Sequence, residues 1–231
     1  MNSLEAKGIT AKDLGSGIVV YSNVLPRNLN IPERLEEVIG EKENIVDGNP
    51  VRYAWQPAYV GYKELMPNYR DCVDFKYKKS DLHDDGTEEY KKLASLWDDC
   101  FNRQKEVVDN YCAKFNIHNL RYWEAFNFIK YEKGDHFQYH HDHGFSYNCT
   151  VSLVAYINDD YEGGGLHFQH QDILYTPVAG DVVIFPSTYM YSHRAMPVDN
   201  GTKYSLVTML DYSDKYHQPE MYQETGSWPT L

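Results

Sequence analysis

The sequence predicts a mainly β protein with flanking helices, an α+β arrangement whose strands close into a sandwich or a barrel-like jelly roll. From Leu120 onward the apolar residues alternate with a period of two. Strand-like runs then follow at short spacing up to Asp211, with turns at Gly163-Gly164-Gly165, Pro177 to Gly180 and Asp199-Asn200-Gly201. One long helical pattern precedes them, from Asp85 to Phe115.

Residues 1–16 are mixed and polar and read as a loosely held lead-in. Gly17 to Tyr21 is β-branched and reads as a strand ended by Leu25-Pro26. Ile31 to Gly40 reads as a helix: Pro32 suits the first turn, Leu35, Val38 and Ile39 share a face, and Gly40 suits the stop. Residues 44–83 show no clear period, and short strands are expected near Tyr53 and Tyr59. The stretch from Tyr69 to Ser80 reads either as a mobile flap, because long irregular segments often serve function, or equally as a surface loop with no role. In the Asp85–Phe115 helix, Asp85 and Glu88 form an expected capping box. Its stripe of Leu93, Leu96, Trp97, Phe101, Val108, Tyr111 and Cys112 is expected to pack on a sheet. Alternation over Leu120 to Tyr131 puts Trp123, Ala125, Asn127, Ile129 and Tyr131 on one side. Thr150 to Ile157, Leu166 to His170, Gln171 to Tyr175, Asp181 to Phe185 and Lys203 to Asp211 complete the strands, and residues 212–231 form a polar, aromatic tail.

The 231 residues suffice for one decorated domain, and 42% hydrophobic content is that of a globular chain. A net charge of −12 argues against a broad nucleic-acid surface, although Lys76, Lys78 and Lys79 cluster, as do Lys91 and Lys92. The four cysteines form no CxxC pair, so free thiols in a reducing compartment are expected. The N-terminal residues lack a signal-peptide pattern and no 18-residue apolar run occurs, which together read as a cytoplasmic protein with no membrane partner.

The chemistry centres on His140-x-Asp142. Residues i and i+2 of a strand point to the same side, so an imidazole and a carboxylate can converge there. His193 offers a second imidazole. Two histidines and one carboxylate leave open positions on an octahedral metal, the arrangement of non-haem iron oxygenases; spacing alone leaves zinc open. His141 is expected to point away, and His143 reaches the site only if the strand ends at Asp142.

Four ordered blocks extend this pattern. They are Tyr131-x-x-Gly134-x-x-Phe137-x-x-His140-x-Asp142; Tyr156-Ile157-Asn158-Asp159 followed by Glu162-Gly163-Gly164; Pro177-x-x-Gly180-Asp181 leading to Phe185; and His193-x-x-x-Pro197-Val198-x-x-Gly201-x-Lys203-Tyr204-Ser205. Together they resemble the prolyl 4-hydroxylase-like branch of the 2-oxoglutarate- and Fe(II)-dependent dioxygenases. The resemblance implies a double-stranded β-helix (jelly-roll) core over residues 119–212, N-terminal strands and supporting helices over 1–118, and a C-terminal tail over 213–231, all one domain. It implies that His140, Asp142 and His193 hold Fe(II) and carry catalysis. Lys203 would pair with the distal carboxylate of 2-oxoglutarate, with Tyr131, Tyr156, Ser205 and Asn127 beside it. The family often has an acidic residue where Gly165 stands, and an Arg and a Thr where Cys149 and Ser152 stand.

The implied reaction consumes O2 and 2-oxoglutarate, releases succinate and CO2, and hydroxylates a prolyl residue of a peptide or protein, with ascorbate as a reductant. Trp123, Tyr189, Tyr191 and Arg194 are the candidate substrate contacts. The alternatives are hydroxylation of a free amino acid or other small molecule, a non-catalytic jelly-roll binding module, and a zinc hydrolase built on the histidines. The sequence leaves the oligomeric state open.

Overall fold

The computed structural model describes residues 4–39, 45–46, 49–50, 53–60, 64–82, 84, 86–144 and 148–213. In chain order its principal elements are β1 (Thr10–Gly15), β2 (Ile18–Ser22), α1 (Ile31–Glu36), β3 (Arg70–Asp71), β4 (Val73–Tyr77), α2 (Glu88–Phe115), β5 (Phe126–Tyr131) and β6 (His136–His140). Then follow β7 (Val151–Tyr156), β8 (Leu166–Phe168), β9 (Ile173–Tyr175), β10 (Val182–Pro186), β11 (His193–Ala195), β12 (Val198–Asn200) and β13 (Lys203–Asp211).

Two antiparallel sheets form the jelly roll. The larger has the order β1-β2-β10-β7-β13-β5-β4, extended by the short strand Gln56–Pro57, with Tyr122–Trp123 also paired to β13. The smaller, five-stranded sheet runs β9-β8-β11-β6-β3. The large sheet is apolar on both faces because something packs on each. On β7, Val151, Leu153 and Ala155 join the core shared with α2. Val154 and Tyr156 turn the other way and meet Leu166, Phe168 and Phe185 between the sheets. All six residues of β7 are therefore buried, as expected of a strand covered on both sides.

The α2 stripe reads as expected: Leu93, Leu96, Trp97, Val108, Tyr111 and Cys112 are buried against the large sheet. Trp97 stacks on Phe126 with ring centroids 4.0 Å apart. The helix start differs from expectation. Its N-cap is Thr87, whose hydroxyl accepts from the Tyr90 backbone N–H at 3.3 Å; a hydroxyl one residue before the first turn reaches that donor. Asp85 lies outside the described residues, as does Gly40, the expected stop of α1. α1 itself ends at Glu36.

Further expectations are corrected. Residues 10–15 are a strand of the hairpin β1–β2 rather than a loose lead-in. The expected flap at 69–80 contains β3 and β4, and β4 pairs with β5 from Val73↔Lys130 to Tyr77↔Phe126. Phe75 and Tyr77 alternate into the core and hold the segment in the sheet. Asn200, read as a turn residue, ends β12, and the turn falls at Gly201 with φ of +81°. The lysine clusters face carboxylates: Lys76 meets Glu124, Lys79 meets Asp98, Lys91 meets Glu88 and Lys92 meets Glu37. The cysteines 72, 100, 112 and 149 are free thiols, all buried. The C-terminal tail beyond residue 213 lies outside the described residues. Among the described residues no helix is long and apolar enough to cross a membrane.

Candidate metal centre and co-substrate pocket

His140 ends β6 and His193 begins β11, and the antiparallel register makes them direct partners. Their ring centroids lie 4.3 Å apart. Asp142 follows just past the strand end and turns its carboxylate back to both rings. Its Oδ1 stands 3.6 Å from His140 Nε2 and its Oδ2 stands 3.8 Å from His193 Nε2. One ligand atom from each residue lies within 4.8 Å of the others.

The surroundings suit these atoms to a metal. His140 Nδ1 donates to the Gln138 carbonyl at 2.8 Å, and His193 Nδ1 to the Tyr191 carbonyl at 3.0 Å. A carbonyl only accepts, so each proton sits on Nδ1 and each Nε2 lone pair faces the carboxylate. Burial holds the His140 pKa well below its ordinary value, with the His193 charge acting in the same direction, so the ring is neutral at neutral pH. Asp142 accepts from the Ser152 hydroxyl, which is itself bonded to Ser187 Oγ at 2.7 Å. Phe137 stacks on His140 at 3.6 Å, and Phe185 packs against His193 at 4.8 Å. Two imidazole nitrogens and one oriented carboxylate are a donor set that fits a divalent transition metal. His141 is exposed, as expected. His143 is turned away by Cys149, whose backbone holds its Nδ1 at 2.8 Å and 3.2 Å.

The same cavity continues to Lys203, lined by Ile129, Tyr131, Val154, Tyr156, Leu166, Ser205 and Val207. Lys203 opens β13 and is 2% exposed. Its Nζ lies 4.9 Å from the ring of Tyr131, its cross-strand partner, and 5.3 Å from that of Tyr156. Its one hydrogen bond among the described residues goes to the Gly164 carbonyl at 2.6 Å. An ammonium has three donors, so two stay available for an anion in the cavity. Burial draws the Lys203 pKa down to about 7. Gly164 has to be glycine: its φ is +62°, and a Cβ there would come within 3.0 Å of the Lys203 side chain.

The candidate substrate contacts fare differently. Trp123 is a correction. It pairs with Leu210, lies in the core with α2 and meets Phe101 at 5.0 Å, on the face of the sheet away from the cavity. The strand breaks at Glu124–Ala125, and the break reverses the alternation between Trp123 and Asn127. The Tyr191 hydroxyl donates to the Ser16 carbonyl at 2.6 Å, tying the strand entry to the β1–β2 turn. Arg194, next to inward-facing His193, lies over the Tyr139 ring at 4.7 Å. Neither residue lines the cavity. Tyr189 is exposed. Asn127 and Ser205 do line it. Sequence reasoning missed Arg70, Phe137 as a wall, and Asp74. The available signal was the alternation Val73, Phe75, Tyr77, which marks a strand where a flap was expected.

Fold and site together define a jelly-roll protein with a two-histidine, one-carboxylate centre and a buried lysine at the far end of one cavity. Residues 126–210 match the model of the 2OG-Fe(II) oxygenase superfamily, so the resemblance carried by the motifs is borne out over that segment. No curated protein matches the chain. Among solved structures, the chain is similar to a prolyl-4-hydroxylase from Pseudomonas putida, with 20% identity over 84% of this chain and 92% of that one and a TM-score of 0.54. It is also similar to the viral collagen prolyl hydroxylase of Paramecium Bursaria Chlorella virus-1 in its 2OG complex, with 14% identity, 85% and 96% coverage and a TM-score of 0.56. A third is a Trichoplax adhaerens prolyl hydroxylase in complex with a hypoxia inducible factor peptide, with 15% identity, 98% and 90% coverage and a TM-score of 0.53. These likenesses show the shared fold.

Proposed function

We propose that the chain is a single 2-oxoglutarate- and Fe(II)-dependent dioxygenase domain that hydroxylates prolyl residues of a peptide or protein. The observation that carries this reading is one cavity with two ends: three convergent ligand atoms, and a buried ammonium with two unused donors. In this reading His140, Asp142 and His193 hold Fe(II), and the bound iron supplies activation of O2 coupled to decarboxylation of 2-oxoglutarate. Lys203 pairs with the distal carboxylate, where a charge-assisted bond in a dry pocket is strong. Tyr131 and Tyr156 wall that end and fix the depth at which the co-substrate stops. Phe137 against His140, and Phe185 with Phe168 behind it against His193, pack the two imidazoles in apolar surroundings at the reacting end. The prolyl substrate is supported by the motif resemblance and by the prolyl hydroxylases among the similar structures; ascorbate as reductant rests on the motif resemblance alone, and a cytoplasmic site on the free thiols.

The test is succinate formation from 2-oxoglutarate, with a prolyl peptide library read by mass for one added oxygen. Turnover is expected to need Fe(II) and to vanish in His140→Ala and in Asp142→Ala. Lys203→Ala is expected to weaken 2-oxoglutarate binding at least tenfold while leaving iron affinity within about twofold, because loss of a buried charge-assisted contact costs about 2 kcal/mol or more. Succinate production that survives loss of either metal ligand would show the assignment to be wrong.

A further inference from the structure

Beside the metal centre lies a polar unit that neither iron nor the co-substrate end uses. Arg70 on β3 and Asn127 on β5 both line the cavity, and Asp74 on β4 joins them. Asp74 Oδ2 accepts from Arg70 NH2 at 3.1 Å and from Asn127 Nδ2 at 3.2 Å. The Arg70 and Asp74 side chains are only 11% and 19% exposed. Arg70 NH1 is committed to the Tyr59 carbonyl at 2.8 Å, and the guanidinium lies over Phe137 at 4.8 Å. Two buried atoms remain without a hydrogen-bond partner among the described residues: Arg70 Nε, an N–H donor, and Asn127 Oδ1, an acceptor. The Cys72 thiol near Arg70 is at most a weak partner.

The orientation of Asn127 follows from chemistry. A carboxylate only accepts, so the NH2 of Asn127 must face Asp74, which leaves its oxygen as the unpaired acceptor of a residue that lines the cavity. The arginine charge is already matched by Asp74, so the unit as a whole is neutral. Its unpaired groups are one N–H and one C=O. A charged group brought against it would be desolvated without a counter-ion, whereas a neutral group with one acceptor and one donor completes both vacancies. The peptide amide is such a group.

We infer that Asn127 and Arg70, set in place by Asp74, read a neutral amide of the substrate next to the reacting carbon, and that Asn127 serves the substrate rather than 2-oxoglutarate. The register agrees. Asn127 pairs with Val207, and Tyr131 pairs with Lys203, so Asn127 stands four residues, about 13 Å, along the strand from the co-substrate end. This inference rests on the oxygenase reading and narrows its substrate to a peptide-linked residue over a free amino acid.

The experiment is calorimetric titration of the anaerobic protein, loaded with Fe(II) and 2-oxoglutarate, with N-acetyl-L-proline N-methylamide. The comparison probe is N-acetyl-L-proline, which ends in a carboxylate. The amide is expected to bind at least tenfold more tightly than the acid. Asn127→Leu and Asp74→Asn are each expected to weaken amide binding tenfold or more and to erase the preference, with 2-oxoglutarate affinity held within twofold. Should Asp74→Asn prove unstable, Asn127→Leu carries the test, since it loses one hydrogen bond of the unit and keeps its size. Equal binding of the two probes, binding of neither, or variants that lose 2-oxoglutarate instead of the amide would each overturn the inference. Failure of the unsubstituted protein to bind 2-oxoglutarate in an Fe(II)-dependent way would instead remove the oxygenase reading beneath it.

Discussion

Lys203 ties residue chemistry to a measurable pH dependence. Its ordinary pKa of 10.5 is drawn to about 7 by burial. The co-substrate-free folded protein therefore binds fewer protons than the unfolded chain between about pH 7 and 10.5, and this residue makes stability rise with pH across that window. A bound dicarboxylate restores the charge, so binding above pH 7 is expected to take up a proton. Affinity for 2-oxoglutarate is expected to fall by a factor approaching about ten per pH unit above that point. Calorimetry in buffers of different ionisation enthalpy measures the proton directly. A flat affinity from pH 7 to 9, with no proton uptake, would place the binding charge elsewhere. The glycine at 164 belongs to the same account: the loop backbone comes so near the Lys203 stem that no side chain fits between them.

At the scale of elements, α2 shows how legible an amphipathic stripe is, and also where it misleads. The stripe faces the large sheet as its spacing predicts. Yet Gln104, on the same buried face, is 0% exposed, and neither end of its amide has a partner among the described residues. A buried, unpaired amide costs about 1–3 kcal/mol. Gln104→Leu is therefore expected to raise the unfolding free energy by about 1–2 kcal/mol, seen as a higher urea midpoint; a lower midpoint would mean that the amide has a partner in solution. β13 has the bounds the sequence suggests, Lys203–Asp211, because the turn residues Asp199-Asn200-Gly201 mark its start. The segment ending at Tyr131 was misread at Trp123, because a break in a strand leaves no sure mark in composition. The false flap at 69–80 has a similar origin. Arg70, Asp71, Asp74 and Lys76 look like loop residues until their partners on β5 and β6 are known.

For the whole molecule, the candidate ligands come from strands that meet only when the smaller sheet is formed. The unfolded chain has no such site, so on the proposed function iron and 2-oxoglutarate are expected to bind only the native state and to stabilise it. At about a hundredfold excess over the dissociation constant the gain is about 2.7 kcal/mol. Anaerobic melting is expected to show a clear rise with Fe(II) and 2-oxoglutarate together, and none from the same pair in Asp142→Ala. An equal rise in that variant would detach the stabilisation from the proposed centre. The closing of the two sheets also explains why one cavity serves both ends. β13 carries Lys203, Ser205 and Val207 along its inner face, and β6 and β11 bring the imidazoles across from the other sheet.

The residues alone determined the alternation of the core strands, the long helix behind them, the histidine–carboxylate spacing and the lysine downstream. Each of these is written in local periodicity or in a short motif. Only the tertiary structure decided which histidines converge, which face of a broken strand meets the cavity, and that Arg70, Asp74 and Asn127 form one unit. Those outcomes depend on pairings between segments distant in sequence, and a pairing register is set by packing on both faces of a sheet, which no single segment encodes.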